Sequence, residues 1–202
     1  MICDFVLKVL ICVFPGVEEL DFVGFIEPLA VANRVMKTKY FEYAIAGTED
    51  DPIICSGGMR VQSDVKLYEL NLSDYDLLFM PGGGASTNSG VTQLIKDKDM
   101  LVWIKEAYDR GKPIWSVCTG ALVLAEAGLL NNRFATTHHN YLSRLKDYGA
   151  KVSTKRIVRS GRITTAGGIS SSIDLGLELV KIQLGKKIVT EVRNIMEYMY
   201  EH

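Results

Sequence analysis

The chain has 202 residues, with 23 basic against 24 acidic side chains and a formal charge of −1. That length buries a three-layer core without disulfides or metals, and one domain over residues 1–202 is expected. The near-balanced charge removes the positive field that a nucleic-acid binder or an anionic-membrane binder needs, so small molecules or a second copy of the chain are the expected partners.

From the N-terminus, Met1 to Phe14 is apolar, but Asp4 and Lys8 interrupt it and no small-residue cleavage site follows. Pro15-Gly16 ends the run too early for a membrane span, so it reads as a first buried strand, Val6 to Phe14. The spacing of Leu20, Val23, Ile26, Leu29, Ala30 and Val35 predicts a helix from Glu18 to Arg34, with Gly24 and Pro28 expected to bend or break it. Phe41 to Ala46 is a second strand, and Ile53 to Val61 folds around Gly57-Gly58 as a small antiparallel hairpin. Tyr75 to Met80 is a third buried strand, ending in Pro81-Gly82-Gly83-Gly84. One helix is predicted from Val91 to Arg110, closed by Gly111. A strand from Lys112 to Val117 then runs into Cys118-Thr119-Gly120 and an Ala/Leu-rich helix reaching toward Leu130. The remaining stretch reads as a polar loop holding His138 and His139, a short helix from Tyr141 to Tyr148, and a hairpin of Ile157 to Arg159 with Arg162 to Thr165. Gly167-Gly168 leads into two closing helices, Ser171 to Leu184 and Lys187 to Tyr200. Strands alternating with helices imply a mainly parallel sheet covered on both faces.

The four cysteines, at 3, 12, 55 and 118, have no short paired spacing. Neither a zinc cluster nor a disulfide framework is expected, no metal or cofactor is called for, and reduced thiols fit a cytoplasmic setting. Cys118 stands out because a strand-to-helix turn exposes a side chain and points unpaired helix N–H groups toward it. A helix N-terminus favours a thiolate and would lower its pKa. The plainer alternative is a small buried apolar side chain.

In parallel sheets ligands gather outside the carboxyl ends of the strands, so the turns after Phe14, after Met80 and at Cys118 become neighbours. The first carries Glu18, Glu19 and Asp21, which either stabilise the helix start or face the pocket; Asp21, a turn inside, is placed to lean in. A carboxyl facing a thiolate is expected to be partly protonated, since burial and like charge both oppose its ionisation. The second turn, Gly82-Gly83-Gly84, lets backbone N–H groups approach a ligand and, with an N–H after Cys118, form an oxyanion site. His138 is either a partner for the thiol or a solvated loop side chain.

These segments resemble the ThiJ/PfpI superfamily, which shares the class I glutamine amidotransferase-like, flavodoxin-like sandwich. The resemblance runs through Phe14-Pro15-Gly16-Val17-Glu18-Glu19-Leu20-Asp21, Met80-Pro81-Gly82-Gly83, Ser116-Val117-Cys118-Thr119-Gly120, Ala135-Thr136-Thr137-His138 and Gly167-Gly168-Ile169-Ser170-Ser171-Ser172-Ile173-Asp174. Leu20-Asp21, Cys118-Thr119-Gly120 and Ala135-Thr136-Thr137-His138 are most similar to isonitrile hydratases and to the amidase-like domains of AraC-type regulators.

The resemblance implies Cys118 as nucleophile on a nucleophile elbow, Asp21 as acidic partner, Gly83 and Thr119 as backbone donors, and a homodimer. In hydratase chemistry the sulfur attacks the terminal isonitrile carbon, water converts the thioimidate to an N-substituted formamide, and Asp21 shuttles protons. Proteases of the superfamily carry His directly after the nucleophile, where this chain has Thr119. Amidotransferases carry a late His-X-Glu, and no histidine lies between His139 and His202. The first motif usually continues Gly-Pro, where this chain has Gly24-Phe25. The regulators append a helix-turn-helix domain of roughly 100 residues, and none is expected here. The remaining readings are a redox or ligand sensor using an oxidisable Cys118, and a glyoxalase-like activity.

Overall fold

A strand buried on both faces needs neighbours on both edges and helices above and below it. In the computed structural model, which describes residues 6–198, β1 (Leu7–Val13) has them: only Lys8 is exposed along it. It pairs in parallel with β2 (Phe41–Gly47) on one side and β6 (Leu77–Met80) on the other. Beyond β6 lie β7 (Ile114–Val117), β11 (Ile163–Ala166) and β10 (Ile157–Ser160); beyond β2 lies β5 (Val65–Lys66). All neighbouring pairs are parallel except β10 with β11, the expected second hairpin, which forms one edge. The first hairpin, β3 (Ile53–Ile54) with β4 (Arg60–Val61), is a separate antiparallel pair, and β8 (Phe134–Ala135) lies parallel to β9 (Lys151–Val152).

Two corrections to the sequence reading concern helices. Pro28 does not break α1 (Glu19–Met36), which runs unbroken through it. Burial explains this, since Phe25, Pro28, Leu29 and Ala32 are all covered, and Phe25 stacks on Phe79 of β6 with ring centroids 3.9 Å apart. Gly24 lets α1 lie close to α6 (Ser171–Ile195), because a Cβ there would sit 2.3 Å from Ser172 Oγ. Conversely, the helix expected over 91–110 is two helices, α2 (Gly90–Leu94) and α3 (Lys98–Asp109). The break is made by Asp97, whose carboxylate accepts from the Asp99 and Met100 N–H groups and so caps a new helix start. Its other oxygen takes the Tyr68 hydroxyl at 2.8 Å.

α4 (Gly120–Glu126) follows Cys118, and α5 (Leu142–Asp147) is the expected short helix. The two closing helices appear as α6, whose halves meet at Gly185 with φ 84° and ψ 174°. The right-handed crossovers from β1 to β2 and from β6 to β7 run in opposite directions, which puts α1 and α6 on one face and α2 to α4 on the other. This is the flavodoxin-like layered arrangement. Among the described residues no helix is long and apolar enough to cross a membrane. The expectations for Met1 to Phe5, Cys3, and the chain from 199 to His202 lie outside the described residues.

Candidate active site

β1, β6 and β7 are adjacent and parallel, so their carboxyl ends bring Pro15-Gly16, Gly82-Gly83-Gly84 and Cys118 to one side of the sheet. Cys118 joins β7 to α4 with φ 54°, a left-handed conformation uncommon for a residue with a side chain. The surroundings hold it there. Its N–H donates to Gly167 O at 2.8 Å and Ala166 O at 3.2 Å. Its carbonyl accepts the Thr137 hydroxyl at 2.7 Å.

The sulfur is not a free thiolate. Cys118 is 5% exposed, and burial pushes its thiol up to about 11, with the Asp21 carboxylate adding to the rise. The Ile169 and Thr119 N–H groups and the Thr119 hydroxyl work in the opposite direction. The expected lowering by the helix start is therefore reversed: α4 is only seven residues long, and its end cannot offset desolvation and a facing carboxylate.

Asp21, in the first turn of α1, is fully buried. Its Oδ2 accepts from the Gly82 N–H at 2.7 Å, while its Oδ1 has no hydrogen-bond partner. Burial raises its carboxyl to about 8, the Gly82 bond opposing and the Glu18 charge adding to the rise. Near neutral pH Asp21 therefore holds a proton. Gly82 is wedged at this point, since a Cβ on it would lie 2.7 Å from Thr119 Oγ1 and 2.8 Å from Asp21 Oδ2.

That contact also revises the expected oxyanion donors. The Gly82 N–H is spent on Asp21, and the Gly83 N–H donates to Thr119 Oγ1 at 3.1 Å. The backbone N–H groups that act on the thiol, both lowering its pKa, are those of Thr119 and Ile169. Ile169 was missed as a donor in the sequence; the available signal was Gly167-Gly168 directly after a strand that neighbours β7.

Glu18 and Glu19 separate in role. Glu18 donates its N–H to Gly82 O at 2.9 Å and takes the Ser56 hydroxyl at 3.0 Å. Glu19 Oε1 accepts from the Gly57 and Met59 N–H groups, tying α1 to the β3–β4 hairpin. His138 caps the turn His139–Tyr141, its Nδ1 accepting from the Asn140 N–H at 3.3 Å, and stacks on His139. Its ring lies against Gly168, where a Cβ would be 2.5 Å from Cδ2. Burial and the neighbouring His139 lower its pKa, so it is neutral at pH 7.

A cleft of about 580 Å³ opens on the same side of the sheet, between Phe14, Glu18, Glu49, Gly83, Gly84 and Asp97. It carries carboxylates and no cationic side chain, and Cys118 and Asp21 lie outside its lining. Among the described residues no three His, Cys, Asp or Glu side chains gather to hold a metal ion.

Isonitrile hydratase from Pseudomonas putida is 31% identical over 185 residues, covering 92% of this chain and 75% of that protein. The HTH-type transcriptional regulator CdhR from Pseudomonas aeruginosa is 33% identical over 181 residues, covering 88% of this chain but only 51% of the regulator. A ThiJ/PfpI family protein from Pseudomonas syringae superposes with a TM-score of 0.85 at 25% identity, covering 98% of this chain and 77% of that one. The DJ-1/PfpI family model matches residues 7–182, and the chain belongs to the DJ-1/PfpI family.

Proposed function

We propose that the protein hydrates a small, neutral C–N substrate, an isonitrile to its N-substituted formamide, with Cys118 as nucleophile and Asp21 as proton carrier. The observation that carries this is the buried Asp21 carboxyl with one unpartnered oxygen, set against a buried thiol. A carboxyl so placed serves as a proton store near neutral pH rather than as a structural charge.

In this reading the productive form of the Cys118–Asp21 pair holds one proton. The sulfur bonds to the terminal isonitrile carbon, and the proton goes through Asp21 to the same carbon, giving a thioimidate. Water then adds to that carbon, Asp21 taking one water proton and passing it to the imine nitrogen, and as the C–S bond breaks the remaining hydroxyl proton goes through Asp21 to the sulfur. The thiol is regenerated and the formamide leaves, so the sum is substrate plus water. Thr119 and Ile169 supply N–H groups for the charge that develops beside the sulfur.

Since the pair loses its first proton as pH rises through about 8, kcat/KM is expected to climb across that range. A raised thiol pKa counts against a peroxide sensor, because the thiolate is the oxidisable form. A homodimer is part of the proposal. Leu20 and Val23 of α1 and Ile54 and Met59 of the hairpin stay exposed beside the Glu19 tie, an apolar patch for a second copy to cover. A monomer in sedimentation at micromolar concentration would remove that part.

The decisive experiment mixes the protein with an aryl isonitrile and follows formamide formation. No turnover above a Cys118→Ala control would end the hydratase reading.

A further inference from the structure

The near-balanced charge of the chain hides a local separation. The cleft beside Gly83 carries carboxylates and no cation. At the β10 edge of the sheet a second groove, of about 1010 Å³, lies between β10 and α6. Six cationic side chains line it, Lys155, Arg156 and Arg159 from β10 and the residues leading into it, and Lys181, Lys186 and Arg193 from α6. Against them stand two carboxylates, both already engaged: Asp174 holds the Arg156 guanidinium, and Glu178 Oε2 pairs with the Lys181 ammonium at 3.2 Å. Among the described residues Lys155, Arg159 and Lys186 make no ion pair. Between the cationic walls the lining is apolar, with Leu177 and Val189 buried and Ile157 partly so.

The break in α6 gives the groove its shape. Gly185, at φ 84° and ψ 174°, ends the first helical half, so Leu177 and Lys181 come from one half and Lys186, Val189 and Arg193 from the other. Cations on an edge strand guard it against pairing with another strand, and β10 is such an edge. That need ends with the strand, and gives no reason for α6 to bring three more cations to the facing wall. Like charges gathered across a groove repel, and the arrangement becomes favourable when an anion sits between them.

We propose that this groove binds a small organic polyphosphate, of the nucleoside di- or triphosphate class, with its phosphates between the cationic walls and its apolar part on Leu177 and Val189. The volume suits a small molecule, and lysine and arginine together suit phosphate oxygens. A bilayer or a long nucleic acid fits less well, because the cations line a concavity rather than a flat or continuous face, and the net charge of −1 opposes a long polyanion. Neither Cys118 nor Asp21 lines the groove, so the inference stands apart from the proposed hydration.

The test is isothermal titration calorimetry of the full chain with ATP, pyrophosphate and adenosine. ATP is expected to bind tightest, pyrophosphate more weakly and adenosine weakest, with the affinity for ATP falling as salt rises. Arg159→Ala and Lys186→Ala, exposed residues on opposite walls, are each expected to weaken ATP binding about tenfold. Lys98→Ala removes the same charge from α3, on the other face of the sheet, and is expected to leave the affinity unchanged. Circular dichroism checks that each variant is folded, and should one groove variant fail to fold, the other decides. Binding of neither ATP nor pyrophosphate, or equal weakening by Lys98→Ala and the groove variants, overturns the proposal. So does binding of single-stranded oligonucleotides or phosphatidylglycerol vesicles without binding of ATP, which would make the groove a polyelectrolyte or membrane surface. Pyrophosphate binding as tightly as ATP overturns the part assigned to Leu177 and Val189.

Discussion

Asp21 and Asp174 occupy similar places and live differently. Each lies in the first turn of a helix, the two helices pack on each other on one face of the sheet, and both carboxylates are 1% exposed or less. Asp174 has an arginine on one oxygen and a tyrosine hydroxyl on the other. Asp21 has one backbone N–H, one oxygen with nothing bonded to it, and Glu18 nearby. Burial alone therefore does not make a proton carrier. The partner set decides whether a buried acid holds an ion pair or a proton.

The contrast is sharpest when each acid is neutralised. Asp21→Asn is expected to cut isonitrile turnover by about 10² to 10⁴ while keeping the fold, since an amide oxygen still accepts the Gly82 N–H. Asp174→Asn is expected to do the reverse, costing about 3 kcal/mol or more in urea unfolding, because it takes the carboxylate charge away from a partly buried arginine, with a smaller loss of turnover. Equal effects of the two substitutions on both readouts would erase the distinction.

The pH dependence of stability is the next largest difference. Folding raises the Asp21 carboxyl from 3.8 to about 8, so between those values the folded chain keeps a proton that the unfolded chain has released. The contribution of Asp21 to stability is full below about pH 4, declines as pH rises, and is gone above about pH 8. The slope approaches roughly 1.4 kcal/mol per pH unit at its steepest. Asp21→Asn removes that slope, so the variant gains on the wild type with rising pH in denaturant titrations at pH 5 and 8. A constant difference would show that Asp21 is not the group that holds the proton.

Smaller changes test the surroundings of Asp21. Gly82→Ala places a methyl between Asp21 and Thr119 and is expected to cost about 1 to 3 kcal/mol, with turnover falling alongside stability. Thr137→Val removes the hydroxyl on the Cys118 carbonyl and is expected to cost about 1 kcal/mol of stability, read as a lower melting midpoint. If it is neutral, the left-handed turn at Cys118 is held by Gly167 and Ala166 alone.

Much of this was legible in the chain itself. The hydrophobic run of β1, the glycine turn after β6 and the abrupt change of pattern at Cys118 predict an α/β sheet and put one thiol at its carboxyl edge, because strands buried on both faces read as continuous apolar runs where half-exposed strands alternate. The break between the closing helices, expected after Leu184, falls at Gly185. The reading failed where a side chain overrode a pattern. Asp97 capped a second helix inside an apparently continuous period, and Pro28 stayed helical because the face around it was buried.

The sequence by itself determined the layered sheet, the turn that bears Cys118 and the approach of Asp21, since periodicity and turn chemistry are local properties. Only the tertiary structure decided that Gly82 serves Asp21 rather than an oxyanion, that the Ile169 N–H acts on the thiol, and that the thiol and its acid both hold protons near neutral pH. Those outcomes depend on desolvation and on which donors meet across distant stretches of chain, 61 residues in the case of Asp21 and Gly82. No local pattern records them.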